Sequence, residues 1–295
     1  MIRVLLSGGL GNQLFQYALG RMLSLKHQTQ LTLDLTFVNS KLQVDQLATY
    51  RRYELEVFDL PVRTIDLWLK GKYLYPISKT EHWLRKFIGK NTYHYLQENN
   101  AGLNERILNA PDNSFLEGFF QSEKYFLSIS DILRKDLEFK RPLSGTNLEL
   151  SNEIREKNSV SVHFRRGDYA RLSKNLQKHG VTTMDYYQKA VARISSVIDN
   201  PEFYIFTDEP DWVQKNFEIK FPFKIVASNQ TPDNAWIDMQ LMSQCRHNII
   251  CNSTFSWWGA WLNSHPDKIT IAPGQWFADP SINASDILPD SWIKL

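Results

Sequence analysis

Apolar and polar positions alternate along this chain in short runs that predict β-strands at Ile2–Leu6, Leu31–Leu35 and Phe115–Phe120. The same signal recurs at 160–164, 203–207, 223–227, 248–251 and 268–272. Between the strands the period changes. Phe15, Ala18, Leu19 and Met22 recur at helical spacing after the first strand, and an amphipathic helix is expected around Glu123 to Leu137. Further helices read at 185–198, 210–216, 234–246 and 255–263. Strands alternating with helices of this length predict parallel sheets covered on both faces, with ligands beyond the carboxyl ends of the strands. The stretch from about Lys41 to Ala110 is less regular and rich in tyrosine and tryptophan, and Lys140-Arg-Pro-Leu-Ser-Gly-Thr-Asn147 has the composition of a linker. No repeat or low-complexity segment interrupts the pattern.

Several predicted strands end in chemistry. Val160, Val162 and Phe164 share one face of their strand, His163 and Arg165 the other, and the run closes in Arg165-Arg166-Gly167-Asp168. Arginine presents a planar, permanently charged fork of donors that suits phosphate oxygens. Gly167 allows a tight turn and Asp168 is placed to hold one arginine; a surface ion pair is the competing reading. The first strand runs into Ser7-Gly-Gly-Leu-Gly-Asn12, with Gly9 and Gly11 opening a helix and Asp34 some twenty residues on. That resembles a dinucleotide fingerprint, but Leu14 stands where the third glycine belongs, and no Walker lysine follows. What remains is a helix start with backbone amides and Asn12, suited to an anion or to a plain capped turn.

Near the end, a buried strand leads into Asn252-Ser-Thr-Phe-Ser-Trp-Trp-Gly-Ala-Trp261. Ser253 and Thr254 either cap the next helix or bind a phosphate, while Trp257 and Trp261, four apart, read as core. Asp238 reads as an exposed acid on the preceding helix, and Asp208 as a loop-facing acid ending Phe203-Tyr-Ile-Phe-Thr-Asp208. Arg165, Asp208 and Asn252 all fall at carboxyl ends of predicted strands.

Composition narrows the classes. A formal net charge of +2 over 295 residues gives no reason to invoke nucleic acid. Cys245 and Cys251 read as small buried residues in a reducing compartment. No run approaches the ~18 apolar residues of a membrane span, so a cytoplasmic protein is expected. The chain lacks an Asp-x-Asp pair, His-Glu-x-x-His, Cys-x-x-Cys and a Gly-x-Ser-x-Gly elbow. No metal site is expected.

Taken together, Gly8-Gly-Leu-Gly-Asn-Gln-Leu-Phe-Gln-Tyr-Ala18, Gly118-Phe-Phe-Gln-Ser-Glu-Lys-Tyr-Phe126, His163-Phe-Arg-Arg-Gly-Asp168 and Asn252-Ser-Thr-Phe-Ser-Trp-Trp-Gly-Ala260 resemble the bacterial α-1,2-fucosyltransferases of glycosyltransferase family 11. The resemblance covers positions 1 to about 265 in order. It implies an α/β fold of GT-B type, two Rossmann-like domains facing across a cleft: 1–142 on the acceptor side, 150–280 binding the donor, and a tail over 281–295. It further implies metal-independent, inverting transfer of L-fucose from GDP-β-L-fucose, a substrate rather than a cofactor, to the 2-hydroxyl of a galactose. Carried over from the wider fucosyltransferase group, Arg165 binds the β-phosphate with His163 beside the nucleotide. Asp238 reads guanine, Ser253, Thr254 and Phe255 flank the ligand, and Asn12 reaches the diphosphate or fucose. The α-1,6 enzymes place a glutamate just past the arginines. Tyr169-Ala-Arg-Leu-Ser173 has no acid, so that role does not transfer.

Asp168 is then the first candidate for the base that accepts the acceptor hydroxyl's proton, ahead of Asp34 and Glu123. Acceptor choice is expected in the irregular N-terminal half. There Val62–Lys90 interleaves lysines and arginines with Trp68, Tyr73, Tyr75, Trp83 and Phe87, either as a solvated basic face or as a dock for an anionic membrane carrying a lipid-linked glycan. Two other classes stay open on residues alone, a carbohydrate-binding protein and a nicotinamide oxidoreductase.

Overall fold

A computed structural model describes residues 1–39, 51–66, 94–167, 180–229, 231 and 233–295. The chain divides into two compact units, Met1–Glu138 and Phe139–Leu295. In unit 1, β1 (Ile2–Leu5), β2 (Leu31–Asp34), β3 (Arg63–Ile65), β4 (His94–Gln97) and β5 (Ser114–Glu117) form a parallel sheet in the order β3-β2-β1-β5-β4. Helices α1 (Leu10–Lys26), α2 (Glu105–Leu108) and α3 (Ser130–Asp136) accompany it.

The sequence spacing explains α1. Leu14, Phe15, Ala18, Leu19 and Leu23 are fully buried, and burying each large side chain contributes about 1.5–3 kcal/mol. Polar partners fix its roll: Tyr17 Oη donates to Asp136 at 2.6 Å and Arg21 Nε at 2.8 Å. The close helix–strand approach that a dinucleotide fingerprint assigns to its third glycine is made here by Gly20. A Cβ on Gly20 would lie 2.7 Å from side-chain carbons of both Val4 and Leu31.

Two expectations in unit 1 are corrected. The strand expected over Phe115–Phe120 stops at Glu117. The amides of Phe119 and Phe120 turn instead to the Glu98 carboxylate, and Phe120 adopts a left-handed φ of 55°. The helix expected around Glu123–Leu137 is broken into 3-10 turns at Glu123–Tyr125 and Leu127–Ile129, followed by α3. Tyr125 and Phe126 are both buried there, and the Tyr125 hydroxyl is tied to the preceding loop, accepting from the Asn104 amide at 2.8 Å and donating to the Gly102 carbonyl at 3.1 Å.

Unit 2 carries α4 (Gly145–Glu156), β6 (Ser159–Phe164), α5 (Met184–Ser195), β7 (Glu202–Thr207), α6 (Pro210–Asn216), β8 (Phe223–Val226), α7 (Ala235–Gln244), β9 (His247–Ile249), α8 (Thr254–Leu262), β10 (Thr270–Ala272) and β11 (Ile293–Lys294). All its strand pairs are parallel, in the order β11-β10-β9-β6-β7-β8. Val160, Val162, Phe203 and Ile205 from the sheet pack with Tyr187, Ala190 and Ile194 of α5 in a dry core. Phe164 stacks on Tyr187 at 3.8 Å between ring centroids.

The stretch read as a linker runs into α4 at Gly145. The segment read as a tail over 281–295 is woven into unit 2. Leu295 accepts from Gly274 and donates to Ala272 through its backbone, β11 pairs with β10, and Trp292 packs 5.4 Å from Trp257. Trp257, fully buried, donates its indole N–H to the Ile287 carbonyl at 2.8 Å. The tryptophans of α8 are core, as their spacing predicts.

The close approach at Gly20 gives a test. Gly20→Val should destabilise the protein by about 1–3 kcal/mol through overpacking against Val4 and Leu31. Denaturant unfolding with an unchanged midpoint would show that α1 does not need the contact.

Candidate active site

Counted from β6, the order of unit 2 is 6-5-4-1-2-3, the Rossmann order, which reverses direction between β6 and β9. At such a switch point adjacent connections leave to opposite sides and open a crevice beyond the carboxyl ends of the strands. His163 lies one residue before the end of β6 there, and Cys251 follows β9. His163 Nδ1 lies 3.2 Å from Cys251 Sγ, and the His163 ring is 5.7 Å from Phe255 at the start of α8. The two strongest sequence motifs of unit 2 therefore meet at the reversal.

Arg165 follows β6 directly, and its guanidinium pairs with Asp208 at 3.2 Å. Asp208 follows β7, the neighbour of β6, and also accepts the backbone amides of Arg166 at 3.0 Å and Gly167 at 3.1 Å. A Cβ at Gly167 would lie 2.7 Å from the Asp208 carboxylate, which would have to shift from its present hold on the loop to admit one. Asp208, read from the sequence as a ligand-facing acid, thus holds the arginine loop. Arg166 turns elsewhere: its guanidinium lies 3.6 Å above the Trp212 ring, with Glu209 3.6 Å from its Nε. Asp168, the first candidate base, lies outside the described residues.

Burial sets the charge of the other groups. It pushes the His163 imidazole far below its ordinary pKa, with Arg165 adding to the effect and Asp208 opposing it. His163 is therefore neutral. Burial pushes the Cys251 thiol up to about 12.

Ser253 is the N-cap of α8, yet its side chain makes no cap hydrogen bond. Of the two readings its sequence allowed, the capping one fails. Asn252 is buried and internally engaged, accepting from Thr182 Oγ1 at 2.9 Å and donating to the Trp276 carbonyl at 3.2 Å. It braces the turn into α8. Thr254 and Phe255 are half-buried in the first turn of that helix.

Asp238 departs from its sequence reading as an exposed acid. It is 8 % exposed in the first turn of α7. Burial raises its pKa to about 7, against a hydrogen bond from Asn229 Nδ2 at 2.8 Å. Asn229, itself buried, exchanges two 3.1 Å bonds with Asn147 of α4. Sequence reasoning missed both asparagines, because neither lies in a motif.

Unit 1 has its own reversal, between β1 and β5. The glycine loop after β1 and the Gly118–Gln121 turn after β5 meet there. Gln16 Nε2 donates to the Gly118 carbonyl at 2.8 Å, and Gln121 Nε2 to Asn12 Oδ1 at 2.9 Å. Gly8 has a left-handed φ of 73°, and Gly9 is the N-cap of α1, with Gly11 buried behind it. The helix-start amide of Leu10 donates to the Glu54 carboxylate at 3.2 Å, so part of the predicted anion site is filled by the chain itself. The nicotinamide reading loses its pyrophosphate cradle on that account. Asp34 is also committed, to Arg3 and to the amide and hydroxyl of Thr36, and is withdrawn as a base.

Among the described residues, no group of three His, Cys, Asp or Glu side chains is placed to hold a metal ion, and no helix is long and apolar enough to cross a membrane.

The family model described as glycosyl transferase family 11 matches residues 1–295. The chain is 34 % identical to an alpha-1,2-colitosyltransferase of Escherichia coli, over 98 % of this chain and 97 % of that one. It is equally similar, at 34 %, to the O-antigen biosynthesis glycosyltransferase WbnK of Escherichia coli, over 98 % and 99 %. A rat galactoside alpha-(1,2)-fucosyltransferase 1 matches at 26 % over 86 % of this chain and 61 % of its own length. In fold, the chain is similar to the NodZ alpha-1,6-fucosyltransferase soaked with GDP-fucose, with a TM-score of 0.50, 14 % identity, and 88 % and 92 % of the two chains covered. It is also similar to a mutant of Arabidopsis thaliana FUT1 in complex with GDP, with a TM-score of 0.51, 10 % identity, and 91 % and 69 % covered. The α/β architecture is of GT-B type, as the sequence resemblance implied.

The buried Asp238 makes stability depend on pH. Its folded pKa is raised, so its contribution is fully present below the unfolded value and is lost as pH rises through about 7. The loss is on the order of 4 kcal/mol. Asp238→Asn, whose amide oxygen can still accept from Asn229, should be the more stable protein at pH 8 and should flatten the profile. Thermal unfolding from pH 4 to 8 checks this; parallel profiles for the two proteins would contradict it.

Proposed function

The chain belongs to glycosyl transferase family 11, and from that premise we propose that it moves L-fucose from GDP-β-L-fucose to the 2-hydroxyl of a galactose residue in a glycan acceptor, inverting the anomeric carbon. One observation carries this reading: Arg165, fixed by Asp208 at the carboxyl end of β6, beside a helix start whose Ser253 hydroxyl makes no cap bond. A guanidinium, hydroxyls and helix-end amides at one strand edge are suited to a diphosphate.

Asp238 is proposed to read the base. A carboxylate accepts from both the N1–H and the amino group of guanine, and those donors favour the charged form that burial opposes. Ser253, Thr254 and Phe255 flank the diphosphate. Acceptor recognition is assigned to unit 1, where Asn12 and Gln121 form a polar pair at the sheet edge.

The reaction is a single displacement. A bond forms from the galactose 2-oxygen to the fucose anomeric carbon while the bond to the β-phosphate oxygen breaks. The hydroxyl proton passes to a base, for which Asp168 remains the proposed residue, and the electron pair leaves with GDP. Negative charge grows on the departing phosphate, so a cation held in place beforehand stabilises the transition state more than the ground state. Arg165 supplies that charge in a reaction proposed to proceed without metal.

A second reading concerns the sugar. The 34 % identity to a colitosyltransferase favours GDP-colitose, which lacks one hydroxyl of GDP-fucose, as an alternative donor. An O-antigen type acceptor, met at the cytoplasmic face of a membrane, is the setting both readings imply.

The deciding experiment offers GDP-fucose and GDP-colitose with a panel of galactose-ended acceptors, followed by linkage analysis. An α-1,2-fucosylated product is expected; transfer of neither sugar would sink the proposal. Arg165→Lys keeps the charge but loses the fork, and should lower turnover by roughly 10²–10³, like removal of one oxyanion donor. Near-normal turnover in that variant would remove Arg165 from the mechanism.

A further inference from the structure

We propose that the Cys251 thiol fixes His163 in the tautomer that carries its proton on Nε2, making His163 a hydrogen-bond donor to an oxygen of the bound nucleotide. Cys251 is then a positioning residue acting through the imidazole.

The geometry is that of the strand reversal. Cys251 and His163 leave adjacent strands, with Sγ and Nδ1 3.2 Å apart. Cys251 is fully buried and His163 is 5 % exposed. Burial keeps the thiol protonated and the imidazole neutral. One hydrogen therefore lies between the two atoms. An imidazole nitrogen accepts far better than a thiol sulfur, so the hydrogen belongs to sulfur and points at Nδ1. Ser256 does not compete: its hydroxyl, 3.8 Å from Sγ, has a hydrogen-bond acceptor in the Ser253 carbonyl at 3.2 Å. With Nδ1 accepting, the imidazole proton sits on Nε2.

That second nitrogen is the informative one. Among the described residues, Nε2 of His163 has no hydrogen-bond partner, and it is not one of the wholly buried unpaired polar atoms, so it keeps access to solvent although the ring is 5 % exposed. The ring sits two residues before Arg165 and against Phe255. An N–H open at that edge can donate to a ligand oxygen arriving at the same strand end as Arg165. With the opposite tautomer, Nε2 would turn a lone pair to an anionic ligand and repel it. The ligand half of the inference rests on the donor-nucleotide reading above; the tautomer half does not.

Long-range proton–nitrogen NMR on protein labelled in histidine reads the tautomer directly, with His163→Gln assigning the signal. Calorimetry with GDP reads the consequence. Wild type should show His163 protonated on Nε2. Cys251→Ala should lose that preference and bind GDP about tenfold more weakly, the scale of one buried hydrogen bond. Cys251→Ser, which keeps a donor, should restore both. Cys245→Ala removes the other buried cysteine and should lower the melting temperature while leaving tautomer and affinity unchanged.

A wild-type His163 protonated on Nδ1 overturns the inference even if no variant folds. So does a Cys251→Ala protein with wild-type tautomer and affinity. Absence of GDP affinity in wild type overturns the ligand half together with the donor reading, and the NMR result then stands for the thiol–imidazole pair alone.

Discussion

At the end of β7 one carboxylate accepts two consecutive backbone amides, those of Arg166 and Gly167, and pairs with the guanidinium of Arg165. The turn that follows β6 is built around Asp208. Without it, two amides and a cation at the sheet edge would need other partners, at a cost of about 1–3 kcal/mol for each buried donor left unmet. The absence of a Cβ at Gly167 lets the carboxylate come this close, since a Cβ there would lie 2.7 Å from it. Once Asp208 has taken the loop's amides, Arg166 is directed onto Trp212 while Arg165 stays at the strand end. Two adjacent arginines thereby acquire different tasks, one gripping the scaffold and the other presented to the ligand edge.

The same economy appears at fold level. Four sequence motifs, far apart along the chain, collapse into two places. The glycine loop meets the Gly118–Gln121 turn at the reversal of the first sheet, and the His163–Gly167 run meets the Cys251–Phe255 run at the reversal of the second. A parallel sheet directs every carboxyl end to one edge, and a reversal of strand order opens that edge between two particular strands. In each unit the motifs sit on the two strands flanking the reversal.

What was legible in the sequence follows from this. Period-2 and period-3.6 patterns located β6–β10 and α5–α8 of unit 2 to within a few residues, because their core is built from regular faces such as Val160, Val162, Ala190 and Ile194, while α4, read as part of a linker, and β11, read as tail, were not anticipated. They failed over residues 115–137, where Glu98 draws the Phe119 and Phe120 amides out of the strand, since no local pattern records a carboxylate from another strand. The arginine and α8 motifs were readable as site residues by chemical type. Asp238 was misread as exposed, because burial depends on α4 and the Asn147–Asn229 pair folding over it. Glu54 at the start of α1 was invisible for the same reason: its partner, Leu10, is forty-four residues away. Contacts between distant polar residues carry no period, and they decide which helix ends are open and which are already filled.

Charge placement at the reversal in unit 2 shows why a neutral imidazole belongs beside an arginine. A protonated His163 would put a second cation next to Arg165 and repel it. Burial prevents this, and Arg165 itself opposes protonation, so His163 contributes direction rather than charge. The Cys251 thiol is held neutral by the same burial. The positive charge at this strand end therefore belongs to Arg165, and its position is set by Asp208 before any ligand arrives. Preorganisation of that kind matters most when charge develops late, on a departing phosphate, because a cation already in place needs no reorganisation at the moment the bond breaks. The buried neutral groups add to the effect by lowering the local polarisability in which that one charge acts. A strand ending that looks over-endowed with polar side chains thus resolves into one fixed cation, one carboxylate that fixes it and offsets part of its field, and neutral neighbours that add no charge of their own.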